Sequence, residues 1–194
     1  MKVKCIFKKY EEVDTKAYGF QAASKGNSNF YININETYIV YGMTLKDGNI
    51  WYYLCDLMFT YFPRWKPSLF FEVVDPRISR YWIYSFNKLV DYIQAYPIIT
   101  FPEWANNHPD FYDKLTDGEE REVEIFKNYK ELMDLEFADS SILEAAQIGD
   151  DQWLICPKCK DAWQNSDNRD ALVKCPKCST IFNNPRYKDV WPGL

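Results

Sequence analysis

Four of the six cysteines in this chain stand in two copies of one tetrapeptide, Cys156-Pro157-Lys158-Cys159 and Cys175-Pro176-Lys177-Cys178, with 15 residues between the inner pair. A C-x2-C turn lets two thiolates reach one ion, and a second such turn completes the tetrahedron that zinc accepts from four sulfurs. Cys156, Cys159, Cys175 and Cys178 are therefore the expected zinc ligands. A closed four-sulfur site leaves no open position for water or substrate, so the expected role of the zinc is structural. The repeat continues beyond the ligands. Trp163 and Phe182 each follow their second cysteine by four positions and are expected to pack beside the turns. Two disulfides are the competing reading. The opening segment Met1–Lys9 has only three consecutive apolar residues, too few for a signal-peptide core, so a reducing cytoplasmic setting and available thiols are expected. A thioredoxin-like redox pair would need one C-x-x-C beside a βαβ pattern. Cys5 and Cys55 lack such partners and read as inert core thiols.

The charge divides where the cysteines begin. Residues 1–150 hold 16 basic and 23 acidic groups, net −7, and residues 151–194 hold 7 and 5, net +2. Two domains are expected: an α+β partner-binding domain over 1–150 and a zinc ribbon over 151–194. Hydrophobic residues make up 47% of the 194 and aromatic residues 18%, enough for a proper core in the larger part. No apolar run approaches the ~20 residues that span a bilayer, so no membrane association is expected. Lys158, Lys160, Lys174 and Lys177 invite a nucleic-acid reading of the ribbon. Four thiolates and one Zn²⁺ together add −2, which brings the ribbon to about zero and disfavours direct nucleic-acid binding.

Within the larger domain, residues 30–34, 38–43, 50–55, 69–74 and 81–84 are rich in β-branched and aromatic side chains and read as strands. Asp47-Gly48 marks a hairpin turn, and Asp75-Pro76 ends a strand. Residues 85–95 switch to helical spacing before Pro97 and Pro102. Asp117 and Glu120 resemble a capping box, after which Val123, Phe126, Tyr129, Met133 and Phe137 share one face of a helix. A short helix and a turn are expected over 140–149. The expected fold is an antiparallel β-sheet with helices C-terminal to it, followed by the ribbon.

The opposite face of the long helix carries Glu120, Glu124, Lys127, Glu131 and Asp134, a stripe of net −3. It reads either as a solvated face or as a docking surface for a basic protein. Tyr61-Phe62-Pro63-Arg64-Trp65-Lys66-Pro67 is aromatic and basic, and reads either as rings capping the sheet or as a recognition loop with Trp65 as its anchor. Enzymatic signals are sparse. His108 is the sole histidine, placed before Pro109 in a loop entering a helix, where a surface position is expected. There is no G-x-G-x-x-G, P-loop or H-E-x-x-H pattern. A non-enzymatic protein is expected.

Tyr41-Gly42, Asp47-Gly48, Trp51 to Asp56, Phe71-Glu72-Val73-Val74-Asp75 and Ser79-Arg80-Tyr81-Trp82 occur in an order that resembles small immunity proteins encoded beside bacterial polymorphic toxins, including those of contact-dependent growth inhibition. The resemblance covers residues 36–85, with Gly149 to Trp153 leading into the ribbon. It implies a cytoplasmic protein that binds one cognate toxin, a basic nuclease in many such systems, and blocks it. The zinc ribbon departs from that pattern, and no family binding residue carries over. The candidate partner-binding residues, read from charge and chemistry, are Glu120, Glu124, Glu131, Asp134 and Trp65. The alternative is a zinc-ribbon nucleic-acid-binding or transcription-associated protein.

Overall fold

The structure is a computed structural model that describes residues 1–13, 30–46, 48–86, 96–138, 144–150, 152–165, 170 and 172–187. Contacts divide the chain into two units, Met1–Met133 and Asp134–Leu194. The fold is α+β with antiparallel sheets, as expected. Among the described residues no helix is long and apolar enough to cross a membrane.

The first unit runs β1 (Lys2–Cys5), β2 (Thr37–Ile39), β3 (Gly42–Lys46), β4 (Asn49–Leu54), β5 (Arg64–Pro67), β6 (Phe71–Asp75), β7 (Ile83–Ser85) and β8 (Ile98–Thr100). Helices α1 (Pro102–Ala105) and α2 (Asp110–Asp117) follow, and then α3 (Glu120–Glu136), whose last turn contains the division between the units. The strands form two antiparallel sheets, ordered β2-β1-β6 and β5-β4-β3-β8-β7. In β1 the period-2 pattern is plain: Val3 and Cys5 are fully buried while Lys2 and Lys4 are not.

Two sheets replace the single one expected because the run 38–43 is not one strand. It breaks at Val40-Tyr41, where the Val40 N–H donates to Met1 O at 3.1 Å and the Tyr41 N–H to Tyr53 O at 2.8 Å. Successive amides thus serve different sheets, which a propensity reading cannot distinguish from one continuous ladder. Residues 30–34 form no strand either. Tyr31 at φ +52° and Asn35 at φ +72° are left-handed, which a strand does not accommodate. Ile32 is nonetheless buried, so the apolar character of this segment serves the core rather than a ladder. The expected hairpin joins β3 to β4, with Lys46 opposite Asn49 and Gly48 at φ +74°, and Asp47 lies outside the described residues.

Asp117 closes α2 instead of opening α3. Gly118 at φ +82° is the left-handed residue that ends the helix, its N–H donating to Leu115 O at 3.2 Å. The apparent capping box therefore straddles two helices, and α3 is entered through a bond from the Val123 N–H to Glu119 O at 3.0 Å. The expected inward face is real. Phe126 and Met133 are fully buried, Phe126 meets Tyr41 edge-on at 5.5 Å, and Tyr129 stacks on Phe101 at 4.2 Å. Trp104 of α1 and Tyr112 of α2 enclose Tyr53 of β4 at 4.8 and 5.2 Å. Most of the helix expected over 85–95 lies outside the described residues, and Ser85 belongs to β7.

The second unit contains β9 (Gln147–Ile148), β10 (Trp153–Ile155), β11 (Ala162–Gln164), β12 (Leu172–Lys174) and β13 (Ile181–Asn183). Where a turn was expected near 149, β9 pairs with β10, and Ala145 bridges Asn183 at the end of β13. Residues 144–148 thereby join the two hairpins. The division between the units falls between Met133 and Asp134, and β9 lies on the side of the cysteines. Residues 140–143, expected as part of a short helix, lie outside the described residues. Arg186 clasps the hairpins, its guanidinium donating to Asn165 O at 3.0 Å and to Asp150 O and Trp153 O at 3.2 Å.

Candidate metal centre

Each tetrapeptide folds as one tight turn at the tip of a hairpin, and the two turns repeat bond for bond. The Lys160 N–H donates to Cys156 O at 3.0 Å, and the Ser179 N–H to Cys175 O at 2.9 Å. In return the Cys156 N–H donates to Asp161 O at 2.8 Å, and the Cys175 N–H to Thr180 O at 2.9 Å. Pro157 and Pro176 suit the turn because the ring fixes φ near the value its second position requires. The residue after each second cysteine is forced left-handed, Lys160 at φ +62° and Ser179 at φ +56°.

That backbone gathers the four sulfurs. The ligand atoms of Cys156, Cys159, Cys175 and Cys178 all lie within 4.8 Å of one another. Two contacts cross between the turns, Cys156 to Cys178 at 3.6 Å and Cys159 to Cys175 at 3.7 Å. Sulfurs placed tetrahedrally about 2.3 Å from a zinc ion stand about 3.8 Å apart, so the spacing suits four-sulfur coordination. All four are free cysteines, and the cluster can hold a metal ion. Cys156 and Cys175 are fully buried with Leu154, Val173 and Phe182, and Trp163 packs against this small core from a half-buried position. The Cys178 thiol contacts Thr180 Oγ1 at 3.3 Å, and the Thr180 hydroxyl and N–H hold its pKa down to about 6.

A left-handed conformation costs an L-residue about 1–2 kcal/mol, part of which glycine returns as chain entropy in the unfolded state. Lys160→Gly is accordingly expected to stabilise the second unit by up to about 1 kcal/mol, measured by urea unfolding of the metal-loaded protein. A loss of stability would show that the Lys160 side chain makes a contribution larger than the strain.

The candidate partner-binding residues lie elsewhere. Glu120, Glu124 and Glu131 are exposed along α3 and Asp134 is half-buried, with Lys127 exposed among them. Trp65 is 40% exposed on the edge strand β5, its ring packed on Trp51 at 5.3 Å and covered by Lys46 Nζ at 4.4 Å. Its segment is split: Pro63, Lys66 and Pro67 are buried, whereas Tyr61 is 61% exposed. His108 is half-buried, not on the surface as expected, and burial lowers its pKa against the opposing pull of Asp113. Cys5 is fully buried, and burial pushes its thiol up to about 11.

Sequence reasoning missed a buried ion pair beneath that segment. Lys66 Nζ lies 2.5 Å from Asp56 Oδ2, with side chains 1% and 0% exposed. Asp56 Oδ1 accepts the N–H groups of Met58 and Phe59, each at 2.9 Å, and Arg64 Nη1 stands 3.9 Å from Oδ2. The pair anchors the loop that exposes Leu57, Met58 and Tyr61. The one available signal was the alternation of Trp65 and Lys66 on a short strand, and nothing in it names Asp56 as the partner.

Comparisons with protein-family models, with curated proteins and with solved structures find no match to this chain.

Proposed function

We propose that the chain is a non-enzymatic immunity protein: its larger unit binds and neutralises a basic toxin in the cytoplasm, and a structural zinc ion holds its C-terminal ribbon together. The observation that carries the binding role is the exposed stripe of Glu120, Glu124 and Glu131 on one face of α3. Such a stripe speeds encounter with a basic protein and competes for the surface that would hold nucleic-acid phosphate. The zinc role rests on four clustered thiols in a closed set.

Co-expression with the toxin encoded beside its gene is expected to rescue growth and yield a 1:1 complex. Glu124→Lys together with Glu131→Lys is expected to slow association by about tenfold or more at low salt and by much less at high salt. Rescue without complex formation, or association unchanged by both reversals, would remove the stripe from the interface. Exposed Lys158, Lys160, Lys174 and Lys177 on the ribbon favour the second reading, nucleic-acid binding. A gel shift whose midpoint moves steeply with salt would support it.

A further inference from the structure

The loop between β4 and β5 is held at several points and still turns apolar side chains outward. The Asp56 N–H donates to Phe59 O at 3.2 Å, and the Asp56 carboxylate accepts the Met58 and Phe59 N–H groups. The Leu57 N–H donates to Tyr31 O at 3.1 Å, and the Tyr112 hydroxyl to Pro63 O at 3.1 Å. Phe59 packs on Phe62 at 4.9 Å, and Tyr61 meets Phe62 edge-on at 5.0 Å. Leu57, Met58 and Tyr61 are nevertheless each more than half exposed. The backbone that carries them is ordered before any partner arrives, so binding costs it little freedom.

Charge beside this loop is unbalanced. Asp56 is one carboxylate facing two cations: Lys66 Nζ lies 2.5 Å from Oδ2, and Arg64 Nη1 stands 3.9 Å from the same oxygen, too far for a hydrogen bond. One positive charge is left over. It sits on Arg64, which opens β5 at the edge of its sheet, and among the described residues Arg64 has no other carboxylate within ion-pair reach. The guanidinium lies 4.8 Å from the Phe59 ring centre and 5.9 Å from that of Tyr31, and the side chain is 35% exposed. Rings beside it steady the planar fork, which matches a carboxylate with two parallel hydrogen bonds.

We infer that the β4–β5 loop with Arg64 is a protein-docking surface whose partner presents an aspartate or glutamate flanked by apolar side chains. The partner's carboxylate takes the Arg64 fork, and its apolar flanks cover Leu57, Met58 and Tyr61. Arginine, tyrosine and methionine are side chains enriched at such interfaces. Charge selects protein over nucleic acid. Residues 1–150 hold 16 basic and 23 acidic groups, net −7, which repels a phosphate backbone, and one arginine neutralises only one phosphate. No α3 residue enters the inference, so it is independent of the toxin-binding reading.

The test pans a random-peptide phage library against the full chain and measures the enriched sequences as synthetic peptides by fluorescence polarisation. Enriched peptides are expected to share an acidic residue with apolar neighbours and to shift the amide resonances of residues 56–64. Replacing that acid by its amide is expected to weaken binding about tenfold. Arg64→Gln, which leaves the Lys66–Asp56 pair in place, is expected to weaken it comparably. Tyr61→Ser, at an exposed position, is expected to weaken it severalfold and keeps the test open where Arg64→Gln disturbs the fold. A library that yields no binder, binders without an acidic residue, or binders indifferent to these substitutions would each overturn the inference. A short single-stranded DNA that competes for Arg64 with equal affinity overturns it as well, because the group recognised is then a phosphate.

Discussion

Cys159→Ser, or an excess of a strong zinc chelator, is expected to unfold the C-terminal unit while Met1–Met133 keeps its structure. Among the described residues, the apolar cluster around the cysteines is Ala146, Leu154, Val173 and Phe182, far short of what a unit of this size needs without a metal or disulfide. Zinc binding to a four-sulfur turn pair contributes about 10–16 kcal/mol of apparent free energy near pH 7, so losing a ligand removes most of what folds this unit. The first unit has its own core, including Trp104, Phe101, Phe126 and Leu54, all fully buried. Amide NMR with and without zinc separates the outcomes: ribbon resonances collapse to random-coil positions while those of residues 1–133 hold. The ligands bind as thiolates, so affinity falls as pH falls and protons compete. Ribbon amides that stay dispersed and protected without metal would show that the cluster is not what folds it.

Asp56→Ala is expected to be the most costly single substitution in the first unit, about 3–5 kcal/mol, because it strands the Lys66 ammonium in the core. Burial already lowers the Lys66 pKa, and the Asp56 hydrogen bond and charge are what oppose that shift. The sign follows. With its folded pKa below its unfolded value, Lys66 carries a stability deficit that is complete below the folded pKa and is relieved as pH rises towards the unfolded one. Removing Asp56 lowers the folded pKa further, so the variant regains stability on raising pH from a lower starting point than the parent. Urea unfolding at several pH values measures this. Asp56→Ala with Lys66→Met is expected to recover most of the loss, since the cost lies in the unpaired charge. A double variant no better than Asp56→Ala would place the cost in the Met58 and Phe59 backbone bonds that Asp56 accepts. The measurement bears on binding too, because the same carboxylate anchors the loop that presents Leu57, Met58 and Tyr61 to solvent.

The metal cluster was legible because its chemistry is local. A C-x2-C spacing constrains two sulfurs within one turn, and the repeat of Trp163 and Phe182 after each turn showed that both hairpins are built alike. The apolar face of α3 was equally legible, since 3.6-residue spacing acts along one element. The start of α3 was not. Asp117 and Glu120 satisfy a capping pattern, but Gly118 between them takes the left-handed conformation that ends α2.

The amino-acid order by itself determined the α+β class, the Asp47-Gly48 hairpin, the four clustered cysteines and the charged outer face of α3. Each depends on residues within a few turns of one another. The tertiary structure alone decided that Val40 and Tyr41 serve different sheets, that residues 144–148 join the ribbon, and that Asp56 meets Lys66 in the core. The physical reason is shared. A backbone amide, an edge strand and a buried charge are each satisfied by whichever distant partner the fold brings within hydrogen-bond reach, and periodicity and propensity carry no record of that partner.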